Sequence, residues 1–285
     1  MTGTYDDLFE SVGAVPLERD VLVAEGPEAA AYLHGQLSQD IEGLAVGESA
    51  WSFLLEPTGK VESHLRVSRV GDERFVLDVE PGFGEPTQVS LDRFKLRTKV
   101  QFTPVSWRGM GLRGPGAATV EVEGAVVDAA IGWPGGGRDL LGPELDVSGV
   151  TYLSHDLAEV ARIEAGMPRQ GADFDAGAIP QETGWVPVSV AFTKGCYRGQ
   201  ELVERISARG AERRVLRRFR APDQVSAGAT LSIDGEAVGE LTSVAESPRS
   251  GVVALGWVRG AIPEGSTASA ASAGMVIVGS RVDEE

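Results

Sequence analysis

Five short β-rich runs fall within the last stretch of about 70 residues, at 215–219, 230–233, 237–244, 252–258 and 275–278. Turns rich in Gly, Pro, Asp and Ser separate them, and Asp234-Gly235 is a hairpin-type dipeptide. Strands this short cannot bury a face singly, so the segment from 213 onward must close into a small barrel or sandwich. The Ser/Ala tract at 266–273 reads as a loop.

Upstream the pattern mixes helix and strand. After Gly26-Pro27, Leu33, Leu37 and Ile41 recur every four residues, which predicts a helix with Pro27 near its first position. Residues 51–55, 61–67 and 75–79 read as strands joined by turns at 57–60 and at Gly71-Asp72. A helix is expected over 85–97, ending in the basic string Arg93, Lys95, Arg97 and Lys99. A glycine-dense αβ stretch covers 100–146. Ser154 is the expected N-cap of a helix carrying Leu157, Val160, Ala161 and Ile163, closed by Gly166 and Pro168. The class is α+β, with a body over 1–212 and a C-terminal β-barrel domain over 213–285.

Composition removes several functions. One cysteine, Cys196, allows no intrachain disulfide and no self-contained four-thiolate iron–sulfur cluster. His34, His64 and His155 share no zinc-ligand spacing, so no intrinsic metal is expected. The opening ten residues lack a basic segment followed by an apolar core, and no apolar run reaches 18 residues. The expectation is a soluble cytoplasmic protein without membrane partners. A net charge of −16 argues against coating nucleic acid, so RNA contact is expected only through partners. That average hides one reversal. Residues 194–220 hold three acids and nine bases, a net +6, whereas residues 1–90 carry −12.

The reversed segment opens on Lys194-Gly195-Cys196-Tyr197-Arg198-Gly199-Gln200-Glu201, directly before a helical face of Leu202, Val203 and Ile206. A glycine-hinged loop entering a helix offers backbone N–H groups to anions, reinforced by Lys194 and Arg198, and that field favours a thiolate at Cys196. A lone cysteine can equally be a small buried hydrophobe. Arg205, Arg209, Arg213, Arg214, Arg217, Arg218 and Arg220 could grip a polyanion, form the solvated face of a strand, or pair with the acidic first 90 residues. Glu164 and Glu182 could each accept two N–H donors from an aminopyrimidine edge, or be solvated charges. Gly109-Met110-Gly111-Leu112-Arg113-Gly114 formally fits a dinucleotide fingerprint, but Gly114-Pro115-Gly116 cannot open a long helix, so a turn is expected.

The octet at 194–201 resembles the signature of the YgfZ-type folate-binding proteins, relatives of the glycine-cleavage T-protein, or GcvT. Supporting stretches in order are Gly59-Lys60-Val61, Arg93-Phe94-Lys95-Leu96-Arg97, the Gly114-Pro115 turn, the RIEAGMP run at 162–168, the segment at 180–184 and the stretch at 234–239. The resemblance implies a GcvT/YgfZ-like clover-leaf of three subdomains, two interleaved in the body with a split near 20–100 versus the rest. It implies tetrahydrofolate as ligand and a role in assembly or repair of iron–sulfur client enzymes, including enzymes that thiomethylate tRNA. By the same carry-over His64, Glu164, Glu182, Lys194 and Arg198 would be folate-binding, and Cys196 would be the reactive thiol. His64 follows Ser63 where the aminomethyltransferases carry an Asp, which argues against an ordinary aminomethyltransferase. A folate-dependent aminomethyl- or methyltransferase is the alternative.

Overall fold

The computed structural model describes residues 3–133, 135–210, 213–222, 224–270 and 275–281. The chain divides into two compact units, one joining 1–155 to 188–200 and the other joining 156–187 to 201–285.

The first unit opens with α1 (Asp7–Glu10), β1 (Gly13–Pro16), β2 (Asp20–Glu25), α2 (Ala29–Gln36), β3 (Ser49–Leu55), β4 (Val61–Gly71), β5 (Arg74–Val79) and α3 (Gly84–Lys95). It continues through β6 (Gln101–Val105), β7 (Arg108–Arg113), β8 (Val127–Ala130), β9 (Gly137–Gly142) and β10 (Thr151–Tyr152). One antiparallel sheet runs β3-β4-β5-β2-β6, and a second runs β10-β1-β7-β9-β8 with β1 and β10 parallel. The predicted strands at 51–55, 61–67 and 75–79 are the meander β3-β4-β5.

Alternation assigns the faces of the first sheet. Leu65, Val67, Phe75, Leu77 and Val79 point to the core shared with Leu33 of α2 and Leu91 of α3. The opposite face presents Val21 and Val76 to Val127, Ala129 and Leu141 of the second sheet. Between those sheets lies a buried charge network. Arg66 donates to Asp78 and to Asp139, each at 2.9 Å, while Arg113 holds the other Asp139 oxygen at 2.7 Å. Arg19 adds a bond to Asp78 at 2.8 Å and another to Glu80. Burial pushes the Asp139 carboxyl up, but Arg113 and Arg66 reverse this and hold it below the usual carboxylate range.

Two helices differ from expectation. Leu37 and Ile41 are fully buried, yet the helix ends at Gln36. Leu37 turns extended and bridges Leu54, so its burial comes through the sheet and not through another helical turn. The helix expected over 85–97 stops at Lys95 because Leu96 adopts φ 49°, ψ −110°. A positive φ at a Leu costs about 1–3 kcal/mol. At the glycine-rich motif, Gly109 and Gly111 lie inside β7 and the chain leaves Gly114 in a short 3₁₀ turn over Pro115–Thr119. No long helix opens there, as the turn reading requires.

The second unit contains α4 (His155–Glu164), apart from its first residue, and nearly all of α6 (Gln200–Arg209). The short α5 (Val186–Ser189) lies across the boundary between the units. A closed barrel then follows from β11 (Arg214–Ala221), β12 (Thr230–Ile233), β13 (Glu236–Ser247), β14 (Gly251–Arg259), β15 (Thr267–Ala270) and β16 (Met275–Arg281). The five expected runs are strands, and a sixth comes from the Ser/Ala tract. Ala268 and Ala270 point into the barrel core while Thr267 and Ser269 face out, so the tract is partly a strand. Its residues 271–273 lie outside the described set. Ile163 of α4 packs on Val253 and Leu255 of the barrel. Asp173 ties this packing together, accepting from Arg162, Thr242 and Ser243 at 2.6–2.7 Å. Among the described residues no helix is long and apolar enough to cross a membrane.

Candidate functional site

The segment 188–200 returns to the first unit and lies along the end of α2 and the β3-β4 edge. Ser38 starts the attachment, its hydroxyl donating to the Ser189 carbonyl at 2.6 Å while its own carbonyl accepts from Ala191 N. The two cations of the motif then fasten the loop. Lys194 Nζ donates to the carbonyls of His34, Leu37 and Gln39 at 2.5, 2.7 and 2.8 Å. These are carbonyls left open where α2 ends, and a cation at a helix C-terminus also meets the favourable end of the dipole. All three ammonium hydrogens are thereby engaged. Burial pushes the Lys194 pKa down to about 8, opposed by Asp40 and Glu42.

Arg198 makes the second attachment. It donates to the Leu55 carbonyl at 2.6 Å, to Glu62 at 2.5 Å and to Ser90 Oγ at 2.9 Å, with its guanidinium 4.6 Å from the Phe94 ring centre. Burial lowers its pKa and Glu62 opposes the shift. Gly199 has φ +78°, and a Cβ there would meet the Glu56 carbonyl at 2.5 Å, so only glycine fits. Between these attachments Gly195 and Cys196 are exposed, and the thiol is free. A Cβ on Gly195 would meet nothing within 4 Å. Lys194 and Arg198 therefore hold the chain's own groups and present Cys196 between them.

His64 lies elsewhere in the same unit, on the face of β4 opposite the helices. Its ring stacks on Trp51 with centroids 4.9 Å apart and planes 14° from parallel, and Phe53 approaches at 5.0 Å. Its Nε2 meets Ser189 Oγ at 3.0 Å. Burial holds its pKa well below 6.5, and Arg19 adds to the effect, so the imidazole is neutral. The preceding Ser63 points to the other face, where its hydroxyl lies 2.6 Å from Thr87 Oγ1. Neither position supplies a carboxylate. Trp51 and Ser189 were not singled out from the sequence. The hairpin register could have found Trp51, because pairing Phe53 with His64 sets Trp51 opposite Arg66 on the same face.

Glu164 and Glu182 belong to the second unit. Glu182 is 6% exposed and accepts from Arg214 Nε at 3.1 Å. Arg214 also stacks over Trp257, 4.3 Å from its ring centre. Glu164 is half-buried as the last residue of α4, where a negative charge opposes the helix dipole. Gln181 Nε2 donates to the Val203 carbonyl at 2.7 Å and to Ser207 Oγ at 3.0 Å, fixing α6 beside the turn that carries Glu182. Of the arginine cluster, Arg205, Arg209, Arg213 and Arg220 are exposed. Arg217 departs from the solvated-face reading, since it is buried and donates to the carbonyls of Gly279 and Ile262.

No protein-family model matches the chain. An uncharacterized protein of Haemophilus influenzae is 28% identical over 210 residues, covering 73% of this chain and 72% of its own. An iron–sulfur cluster assembly factor IBA57 homolog, mitochondrial, of Cryptococcus neoformans is 28% identical over 69% of this chain and 62% of its own length. The tRNA-modifying protein YgfZ of Escherichia coli is 27% identical over 67% of this chain and 66% of its own. The chain thus spans less than two thirds of the latter two relatives. The solved structure of the glycine cleavage system aminomethyltransferase T from Bartonella henselae superposes with a TM-score of 0.82 at 21% identity, covering 97% of this chain and 87% of that one. The architecture is that of the aminomethyltransferase fold with its C-terminal barrel, and in sequence the chain is similar to YgfZ and to the IBA57 homolog.

Proposed function

We propose that this protein binds tetrahydrofolate and assists the assembly or repair of iron–sulfur clusters in client enzymes, tRNA-modifying enzymes among them, through the thiol of Cys196. The observation that carries this reading is the loop at 194–199. Its two cations are turned inward as fasteners, while its thiol is exposed on a backbone that Lys194 and Arg198 hold in place. A thiol delivered in this way can ligate or attack a group on a partner as its thiolate. With one thiol in the chain, any cluster contact is shared with that partner. The similarity to YgfZ and to the IBA57 homolog supports the same reading.

For the folate, Glu164 is the residue whose setting fits best. A half-buried carboxylate at the end of α4 can accept two N–H donors from the aminopyrimidine edge. Lys194, Arg198 and Glu182 are engaged by His34, Glu62 and Arg214 among others, so the proposed part of each is to hold its own loop or turn in place. His64 is neutral and would offer a flat polar ring beside Trp51.

Titration with tetrahydrofolate tests the ligand, and absence of binding at high micromolar concentration would sink that half. The second half is tested in an Escherichia coli strain lacking its own YgfZ. The wild-type chain should restore the thiomethylated nucleosides of tRNA and Cys196→Ala should not. The aminomethyltransferase fold favours a second reading, folate-dependent aminomethyl transfer. Formation of methylenetetrahydrofolate from an aminomethylated carrier would establish it, although Ser63 and His64 provide no carboxylate for that step.

A further inference from the structure

At the end of α3 the chain exposes an aliphatic side chain in a backbone conformation that leucine disfavours. Leu96 is 90% exposed at φ 49°. An exposed leucine alone is ordinary. A strained one persists only where its surroundings determine it, and here they do. Lys99 N donates to Glu28 Oε2 at 2.7 Å, Glu28 N returns to the Lys99 carbonyl at 3.3 Å, and Thr98 N closes on Lys95 O at 2.9 Å. Gly26 makes the approach possible, since a Cβ there would lie 2.2 Å from the Lys99 carbonyl. Buried Val100 anchors the far side of the turn. The turn is a rigid knob with Leu96 at its tip.

The charges around the tip are mostly positive, and the one carboxylate beside it, Glu28, is engaged by the Lys99 amide. Arg93, Arg97 and Lys99 are exposed and make no ion pair among the described residues, whereas Lys95 is held by Asp92 at 2.8 Å. A leucine flanked in the chain by three exposed cations complements an apolar notch with a predominantly acidic rim. An extended polyanion fits less well, because the chain carries −16 overall and would repel RNA or an anionic bilayer at longer range. Nor does the knob present an aromatic face for stacking bases, since the Phe94 ring lies against Arg198.

We infer that the Leu96 knob is a docking element for a partner protein, seating its side chain in an apolar notch with an acidic rim. The inference rests on the function proposed above and assigns the knob to engagement of the client. It is tested in the same Escherichia coli strain with Leu96→Gly, which removes the tip and relieves the positive φ, and with the double variant Arg97→Glu and Lys99→Glu. Each variant should lower thiomethylated nucleoside content roughly tenfold or more at equal protein level, as loss of a central anchor does. The purified variants should keep the wild-type tetrahydrofolate titration, and neither should melt below the wild type. Restoration to the wild-type level by either variant overturns the docking role and leaves the proposed function standing. Failure of the wild-type chain to restore modification overturns both. Binding of the wild-type chain to phosphatidylglycerol vesicles or to single-stranded RNA, abolished by Leu96→Gly, overturns the assignment to a protein partner.

Discussion

His64 lies flat against Trp51, with ring centres 4.9 Å apart and 14° between planes, and its Nε2 reaches Ser189 at 3.0 Å. The imidazole is enclosed by an indole, a phenyl ring and a hydroxyl, a setting that favours its neutral form. Its folded pKa is therefore below its unfolded value near 6.5. Between those two values the unfolded chain binds a proton that the folded chain refuses, so stability falls as pH drops below 6.5. Urea midpoints from pH 7 to pH 5 should show this loss, up to about 1.4 kcal/mol per pH unit for one proton. His64→Gln should flatten that part of the profile, and an unchanged slope would remove His64 from the account.

Lys194→Met should lower stability by about 2 kcal/mol, because three carbonyls at the end of α2 lose a charged donor in a partly buried site. The pH dependence has the opposite sense to that of a cation whose pKa rises on folding. With a folded pKa of about 8 against 10.5 unfolded, this group makes stability increase with pH between those values. Comparing wild type with Lys194→Met from pH 7 to pH 10 isolates that contribution. Limited proteolysis within 190–197 should also accelerate in the variant.

The two glycines flanking Cys196 should respond differently to alanine. Gly199→Ala forces a left-handed residue and a contact with the Glu56 carbonyl, at a cost of about 2–3 kcal/mol. Gly195→Ala meets nothing and should leave the melting temperature unchanged. Any loss of iron–sulfur client activity in Gly195→Ala would then report a partner or ligand close to that position. Equal melting temperatures for both variants would contradict the loop geometry.

Asp173→Ala should cost about 1–3 kcal/mol, since Arg162 keeps Glu159 but loses its second carboxylate, and Thr242 and Ser243 lose their acceptor beside the barrel. Thermal unfolding measures the loss directly. Asp173→Asn should recover part of it through the amide oxygen.

The meander β3-β4-β5 was legible because β4 alternates between two short apolar runs and the turns contain glycine. Strand β15 was not, because its inward residues are Ala268 and Ala270 and its outward ones Thr267 and Ser269, a contrast too small to register as alternation. The thiol loop was legible as a motif, but the partners of Lys194 were not. Its acceptors are backbone carbonyls at least 155 positions away, and a carbonyl leaves no mark in a sequence. The burial of Leu37 and Ile41 was readable from their spacing, whereas the conformation that achieves it depends on a bridge to Leu54. Leu96 was read only as part of a helix end, since neither its strain nor its exposure has a local signature.

The first unit is completed by residues 188–200, which the ribosome delivers only after the intervening segment 156–187. A nascent chain that has reached residue 155 holds both sheets of this unit, yet the carbonyls at the end of α2 still lack Lys194 and His64 still lacks Ser189. Synthesis and sealing are thereby separated in time. Cys196 arrives in the same segment that performs the sealing, so the thiol reaches its final setting only as the unit around it becomes whole.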